Sequence, residues 1–232
     1  MSEALDKVSG IDQLPLFPLP LVLLPNELVP LHIFEDRYRK MLTDVQATRN
    51  LFGITLFEPN ESFIEKPAAG TVGCVAELRD VDTLPDGRSN ILALGVVRYR
   101  LVDYIDAGEP YLIGDVEFFE DDEEDAVTLG PLSDEVFELF KRMAAAAFKM
   151  GGSRGRFPEI QKADPEALSF LITAAFNLEN ENKYTLLAMT SSIERLTKLK
   201  EILTRTVDQM EENADIQSAA RLNGHSKKKI DV

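Results

Sequence analysis

No tryptophan, one cysteine and two histidines are found among the 232 residues. A lone Cys74 excludes an internal disulfide and fits a reducing compartment, so the cytoplasm is the expected location. Cys74, His32 and His225 together cannot supply a usual structural zinc site, and neither metal nor cofactor is expected. There is no G-x-x-x-x-G-K-S/T loop to cradle nucleotide phosphates. There is no G-x-S-x-G elbow to present a nucleophilic serine. No apolar run is long and unbroken enough to cross a bilayer. Residues 1–13 lack an apolar core behind a basic start, so no secretory signal is expected. Basic residues are also scarce, with 25 Lys and Arg against 40 Asp and Glu and a formal net charge of −15. Such a field repels phosphate backbones and membrane surfaces.

What is present is the composition of a folded protein, 44% hydrophobic and 28% charged, with enough chain for one large domain or two small ones. The negative charge is concentrated. Residues 103–125 hold a dense run of acids and no Lys or Arg, which leaves the rest of the chain near balance. Within that run, residues 120–125 read as a solvated linker.

Residues 1–13 are polar and are expected to be a frayed, flexible N-terminus. The segment 14–42, LPLFPLPLVLLPNELVPLHIFEDRYRKML, opens as an apolar run punctuated by Pro15, Pro18, Pro20 and Pro25. Prolines cannot donate ladder hydrogen bonds, so a strand here is expected to be an edge, kinked or bulged strand. After Pro30 the spacing of Phe34, Tyr38, Met41, Leu42 and Val45 becomes that of one helix face, opened by Glu35 and Asp36. Val97, Tyr99 and Leu101 alternate with Arg98 and Arg100, a half-buried strand with a basic outer face. Leu84-Pro85-Asp86-Gly87-Arg88 is a hairpin turn, with Gly87 at the positive-φ position.

The second half reads as helical. Ser133 is the expected cap of a helix whose stripe is Val136, Phe137, Phe140, Met143, Ala144, Ala147 and Phe148. Asp164-Pro165-Glu166 caps a second helix to about Asn177. A long helix is expected from Tyr184 to about Glu212, with Ile193, Leu196, Leu203, Val207 and Met210 forming either a bundle seam or a dimer coiled coil. Residues 213–232 read as a disordered polar tail. Monomer and dimer both stay open.

Residues 16–19, Pro25, 28–31 and 33–38 match a pattern ending L-x-I-F-E-x-R-Y, and the segments FGITLF, TVGCVAEL, LPDGRSNI, LGVVRYRL and PYLIGDVE follow in matching order and spacing. In these features the chain resembles the Lon substrate-binding domain, the N-terminal domain of Lon-type ATP-dependent proteases, which also occurs as a free-standing bacterial protein. The resemblance implies an α+β fold: a PUA-like β-pseudobarrel over residues 14–125, then an α-helical bundle over residues 126–212. It also implies recognition of unfolded or degron-bearing polypeptides in protein quality control. With neither ATPase nor protease motif present, a non-enzymatic binder is expected, with a protease or chaperone as a possible partner.

Several residues are candidates for chemistry. A Cys74–His32 nucleophile pair is conceivable, but Cys74 lies in an apolar strand pattern, so no catalytic residue is assigned. Asp80, Asp82, Asp86 and Gly87 faintly imitate a calcium loop, with Ile91 standing where a closing glutamate belongs. Polypeptide binding calls for exposed apolar side chains, and the candidates are Leu21, Leu23, Leu24, Phe34, Tyr38 and Phe157. The alternative is an RNA-binding module using Arg98, Tyr99, Arg100, Arg154 and Arg156, a reading the charge disfavours. A small-ligand sensor is the third reading.

Overall fold

The computed structural model describes residues 2–58, 66–151, 158–176 and 178–223. Its elements divide between two compact units, residues 1–122 with 173–190, and residues 123–172 with 191–232. The fold is α+β.

The first unit is built on six strands: β1 (Gln13–Leu19), β2 (Leu28–Ile33), β3 (Leu51–Leu56), β4 (Val72–Thr83), β5 (Ser89–Ile105) and β6 (Leu112–Phe119). β1 runs parallel to β3 and antiparallel to β6, and β3–β4, β4–β5 and β5–β6 are antiparallel. These five strands close on themselves as the PUA-like pseudobarrel. β5 is long enough to do two jobs. Its C-terminal half closes the barrel against β6, while its N-terminal half pairs with β2 on the same side. Beyond the barrel wall, β2, β5 and β4 therefore form a three-stranded arm, and β2 is its outer edge.

β1 is not a simple edge strand. Residues 13–16 pair with β6 and residues 16–19 with β3, so only Leu16 has neighbours on both sides. At Pro15 only β6 is paired and at Pro18 only β3, so each missing N–H leaves at most one ladder short of a donor.

Two apolar clusters lie on opposite sides of the barrel wall. Inside are Leu14, Leu16, Val75, Val97, Tyr99, Leu101 and Val116. Outside, Ile33, Phe52, Ile54, Cys74, Ala76, Ile91 and Ala93 pack with Tyr38, Met41, Leu42 and Val45. Those last four are the buried face of α2 (Asp36–Gln46), the helix face the spacing predicts. Tyr99 fills the barrel so closely that a Cβ on Gly73 would lie 2.4 Å from its ring.

The expectation of a frayed N-terminus is corrected. Residues 3–7 form α1 (Glu3–Lys7), the Ser2 hydroxyl accepts from Leu5 N at 3.1 Å, and Val8 is buried in the barrel cluster with Leu5 and Ile11 against it. A polar segment carrying apolar residues at Leu5, Val8 and Ile11 is enough to plug one end of the barrel. The hairpin turn is as predicted: Leu84 N donates to Arg88 O at 2.7 Å, and Gly87 has φ +82°.

In the second unit, α3 (Ala126–Met150) starts earlier than the Ser133 cap predicts. Asp125 caps it, accepting from Val127 N, Thr128 N and the Thr128 hydroxyl, and Ser133 is buried inside the helix. Its buried stripe is Ser133, Val136, Phe137, Met143 and Ala146, with Phe140, Ala144 and Phe148 half-buried and Ala147 exposed. α4 (Pro165–Ala175) has the predicted Asp164 cap, which accepts from Ala167 N at 3.0 Å. The predicted long helix is two helices, α5 (Asn180–Ala188) in the first unit and α6 (Ser192–Asn223) in the second. Ser191 and Glu124 cap α6: Glu194 N donates to the Ser191 hydroxyl and Ile193 N to Glu124. α6 continues through residues expected to belong to a disordered tail, and Ala214 is buried. Leu196, Leu199, Leu203 and Val207 form its buried seam, and α3 packs along it. Arg142 joins the two helices at the surface, bonding Asp208 at 3.1 Å and Glu211 at 2.8 Å.

Candidate polypeptide-binding face

The loop into β2 is tightly fixed. Glu27 accepts from Leu24 N at 2.9 Å, Asn26 adopts φ +65°, and Asn26 N and Gly95 N form 2.9 Å bonds to Gly95 O and Glu27 O. Gly95 is required there, because a Cβ would lie 2.0 Å from the Leu24 carbonyl oxygen. This anchors Val22, Leu23 and Leu24 in the interior and delivers β2 along the outside of β5.

Register then decides which side chains share a face, since residues directly opposite in an antiparallel pair point the same way. Val29, Leu31 and Ile33 of β2 pack against the outer apolar cluster. Leu28, Pro30 and His32 point the other way, opposite Leu94, Leu92 and Asn90 of β5. Those in turn lie opposite Glu77, Asp80 and Asp82 of β4. Leu28 is 55% exposed, Phe34 just beyond β2 is 60% exposed, and Leu92 and Leu94 are half-buried. His32 stacks on Phe34 at 6.1 Å between ring centroids and bonds Asn90 Oδ1 at 2.8 Å. The result is an apolar strip beside a sheet edge that pairs with no other strand among the described residues. Glu77, at the barrel end of the strip, is ion-paired with Lys7 at 2.9 Å and Arg79 at 3.1 Å.

The sequence candidates fall differently from one another. Phe34 is on this face. Leu21 is half-buried against the core, while Leu23, Leu24 and Tyr38 are buried within the barrel unit. Phe157 lies outside the described residues, as do Arg154 and Arg156. Leu28, Pro30, Leu92 and Leu94 were not singled out by spacing, although the alternation of Leu28, Pro30, His32 and Phe34 was available to show one shared face.

Of the RNA candidates, the three among the described residues, Arg98, Tyr99 and Arg100, do not form one exposed surface. Arg98 does lie on the outside of the barrel wall, but α5 and the segment after it are held over it. Its guanidinium donates to Leu187 O at 3.2 Å, to Met189 O and to Asp121 at 2.6 Å, and stacks 4.6 Å over Phe119. Tyr99 points into the barrel, where its hydroxyl meets Thr55, and burial raises its pKa. Of these three only Arg100 is exposed. Asp121, Glu124 and Asp125 thus hold structure, and residues 120–125 are not merely a solvated linker.

Cys74 and His32 are not brought together. Cys74 is sealed in the core, where burial pushes its thiol up to about 12, and His32 is on the solvent face. Among the described residues no group of His, Cys, Asp and Glu is arranged to hold a metal, and no helix is long and apolar enough to cross a membrane. A cleft of about 320 Å³ lies between β1 and α2, lined by Leu14, Pro15, Leu51, Asp44, Arg49 and Tyr111. Tyr111 donates to Asp44 at 2.7 Å. Lys40 Nζ also donates to Asp44, at 2.5 Å, and this bond first, then that of Tyr111, holds the Asp44 carboxyl below its ordinary range.

Comparison with known proteins agrees with this architecture. Lon protease 2 of Herpetosiphon aurantiacus is 24% identical over 220 residues, covering 93% of this chain and 27% of the relative. Lon protease 1 of Hydrogenovibrio crunogenus is 28% identical over 216 residues, 91% of this chain and 25% of the relative. The chain thus spans about a quarter of the length of the curated relatives it matches. Among solved structures, a Lon N-terminal domain protein from Xanthomonas campestris superposes with a TM-score of 0.58 at 24% identity, over 82% of this chain and 97% of that one. The N-terminal domain of the Mycobacterium avium complex Lon protease gives 0.61 at 20% identity, over 83% and 98%. At these identities the two structures show the shared fold. Residues 13–205 match the profile of the ATP-dependent protease La (LON) substrate-binding domain, and the chain belongs to that family.

Proposed function

We propose that the chain recognises unfolded or degron-bearing polypeptides on the outer face of β2 and β5, in protein quality control, and catalyses no reaction itself. Membership of the family supports a role in substrate recognition. The observation that carries the finer reading is a strip of exposed Leu28, Pro30 and Phe34 with half-buried Leu92 and Leu94, beside a strand edge unpaired among the described residues. An unfolded chain offers two things a folded one hides, apolar side chains and free backbone amides. The strip accepts the first. The β2 edge accepts the second by strand addition, except at Pro30, which has no N–H. Exposed apolar surface is retained in folded proteins where it serves binding. Energy-dependent unfolding and peptide cleavage then belong to other domains or to a separate ATP-dependent protease.

Fluorescence anisotropy with a labelled, permanently unfolded protein tests this without ATP, beside the same protein folded. Selective binding of the unfolded form, lost in Leu28→Ser with Leu92→Ser, is the expected result. No binding of either form removes the proposal.

A further inference from the structure

We infer that this face selects extended segments in which basic side chains stand among apolar ones; this rests on the reading above and adds a charge preference to it. The apolar strip does not lie alone. One strand over from Leu92 and Asn90, on the same face, are the carboxylates of Asp80 and Asp82. Both residues are exposed. Among the described residues neither is ion-paired; Asp80 accepts only from Val81 N, at 2.9 Å. Glu77, the third acid of the row, differs in having Lys7 and Arg79 as partners. Two unanswered negative charges thus border the strip along β4.

Neighbouring strands are about 4.8 Å apart, and two residues of extended chain span about 7 Å. A segment laid over β5 with apolar side chains against Leu28, Leu92 and Leu94 therefore brings a lysine or arginine within reach of Asp80 or Asp82. Its aliphatic stem covers Leu92 while its charged head stays in water. A glutamate in the same place meets two like charges, and among the described residues no cation is paired with either of them. Charge thus discriminates where the apolar contacts cannot.

The test uses three labelled, unstructured peptides with identical apolar residues and Lys, Gln or Glu at the intervening positions. The full chain is expected to bind the Lys peptide about threefold to tenfold more tightly than the Glu peptide, well inside what two exposed charge pairs supply. Raising the salt should narrow the gap. Asp80→Asn with Asp82→Asn should abolish most of the preference, whereas Asp103→Asn with Asp106→Asn, the same change of net charge on other exposed residues, should leave it. Equal binding of all three peptides, or equal loss in both double variants, overturns the charge preference and leaves polypeptide recognition standing. Binding of none of the peptides overturns both.

Discussion

Arg98 and Asp121 form a 2.6 Å ion pair with side chains only 1% and 6% exposed. The same guanidinium donates to the carbonyls of Leu187 and Met189, the end of α5. Arg98 is thus the bolt that holds α5 and the segment after it to the barrel wall. Asp122 N donating to Thr190 O at 2.8 Å lies alongside.

Removing one partner of such a buried pair leaves the other charge without compensation. Arg98→Ala is expected to destabilise the protein by about 3–5 kcal/mol. Arg98→Met with Asp121→Leu should recover much of this. Urea denaturation measures both, and a loss under about 1 kcal/mol in Arg98→Ala would contradict the assigned role.

Gly95→Ala tests the anchoring of the loop before β2. The added Cβ would meet the Leu24 carbonyl, which is backbone and cannot swing aside. Overpacking of this kind costs about 1–3 kcal/mol. The melting temperature should fall, and polypeptide binding should fall with it because β2 is displaced. An unchanged melting temperature would show that the loop yields freely.

The Asp125 cap gives a pH dependence. The Thr128 hydroxyl first, and then Val127 N, hold its carboxyl below the ordinary range. A carboxyl depressed in the folded state stabilises above its unfolded pKa of about 3.9, and that contribution is lost as pH falls through the folded value. Asp125→Asn should therefore be less stable than the parent at pH 7, with the difference shrinking below about pH 4. Stability curves for both proteins between pH 7 and pH 3 measure this; a gap that stays constant would contradict it.

Local signals carried much of the fold. The helix at Asp36 and the hairpin turn at Gly87 were legible because apolar spacing, an acidic opening and a positive-φ glycine are each properties of a few adjacent residues. Arg98 shows where that stops. Alternation correctly placed it outside the barrel wall, yet outside does not mean exposed when α5, some ninety residues later, is laid over it. The same holds for Asp121, Glu124 and Asp125, an acidic run in sequence but three separate structural partners in space. Of the candidate face, Phe34 was legible from its position. Leu92 and Leu94 were not, since only the register of β2 on β5 reveals that they share its solvent side.

Surface variants should separate binding from folding. Leu28→Ser, Leu92→Ser and Leu94→Ser lie outside both apolar clusters, so together they should weaken unfolded-chain binding at least tenfold while the melting temperature moves only a few degrees. A binding-neutral triple variant would place the client elsewhere.

The most direct test of the polypeptide-binding face is amide NMR of the isotopically labelled chain titrated with an unlabelled, permanently unfolded protein. Shifts and broadening concentrated at residues 28–34 and 90–94, with the seam of α3 and α6 unmoved, are the predicted result. Perturbations centred on other residues, with that face silent, would contradict it.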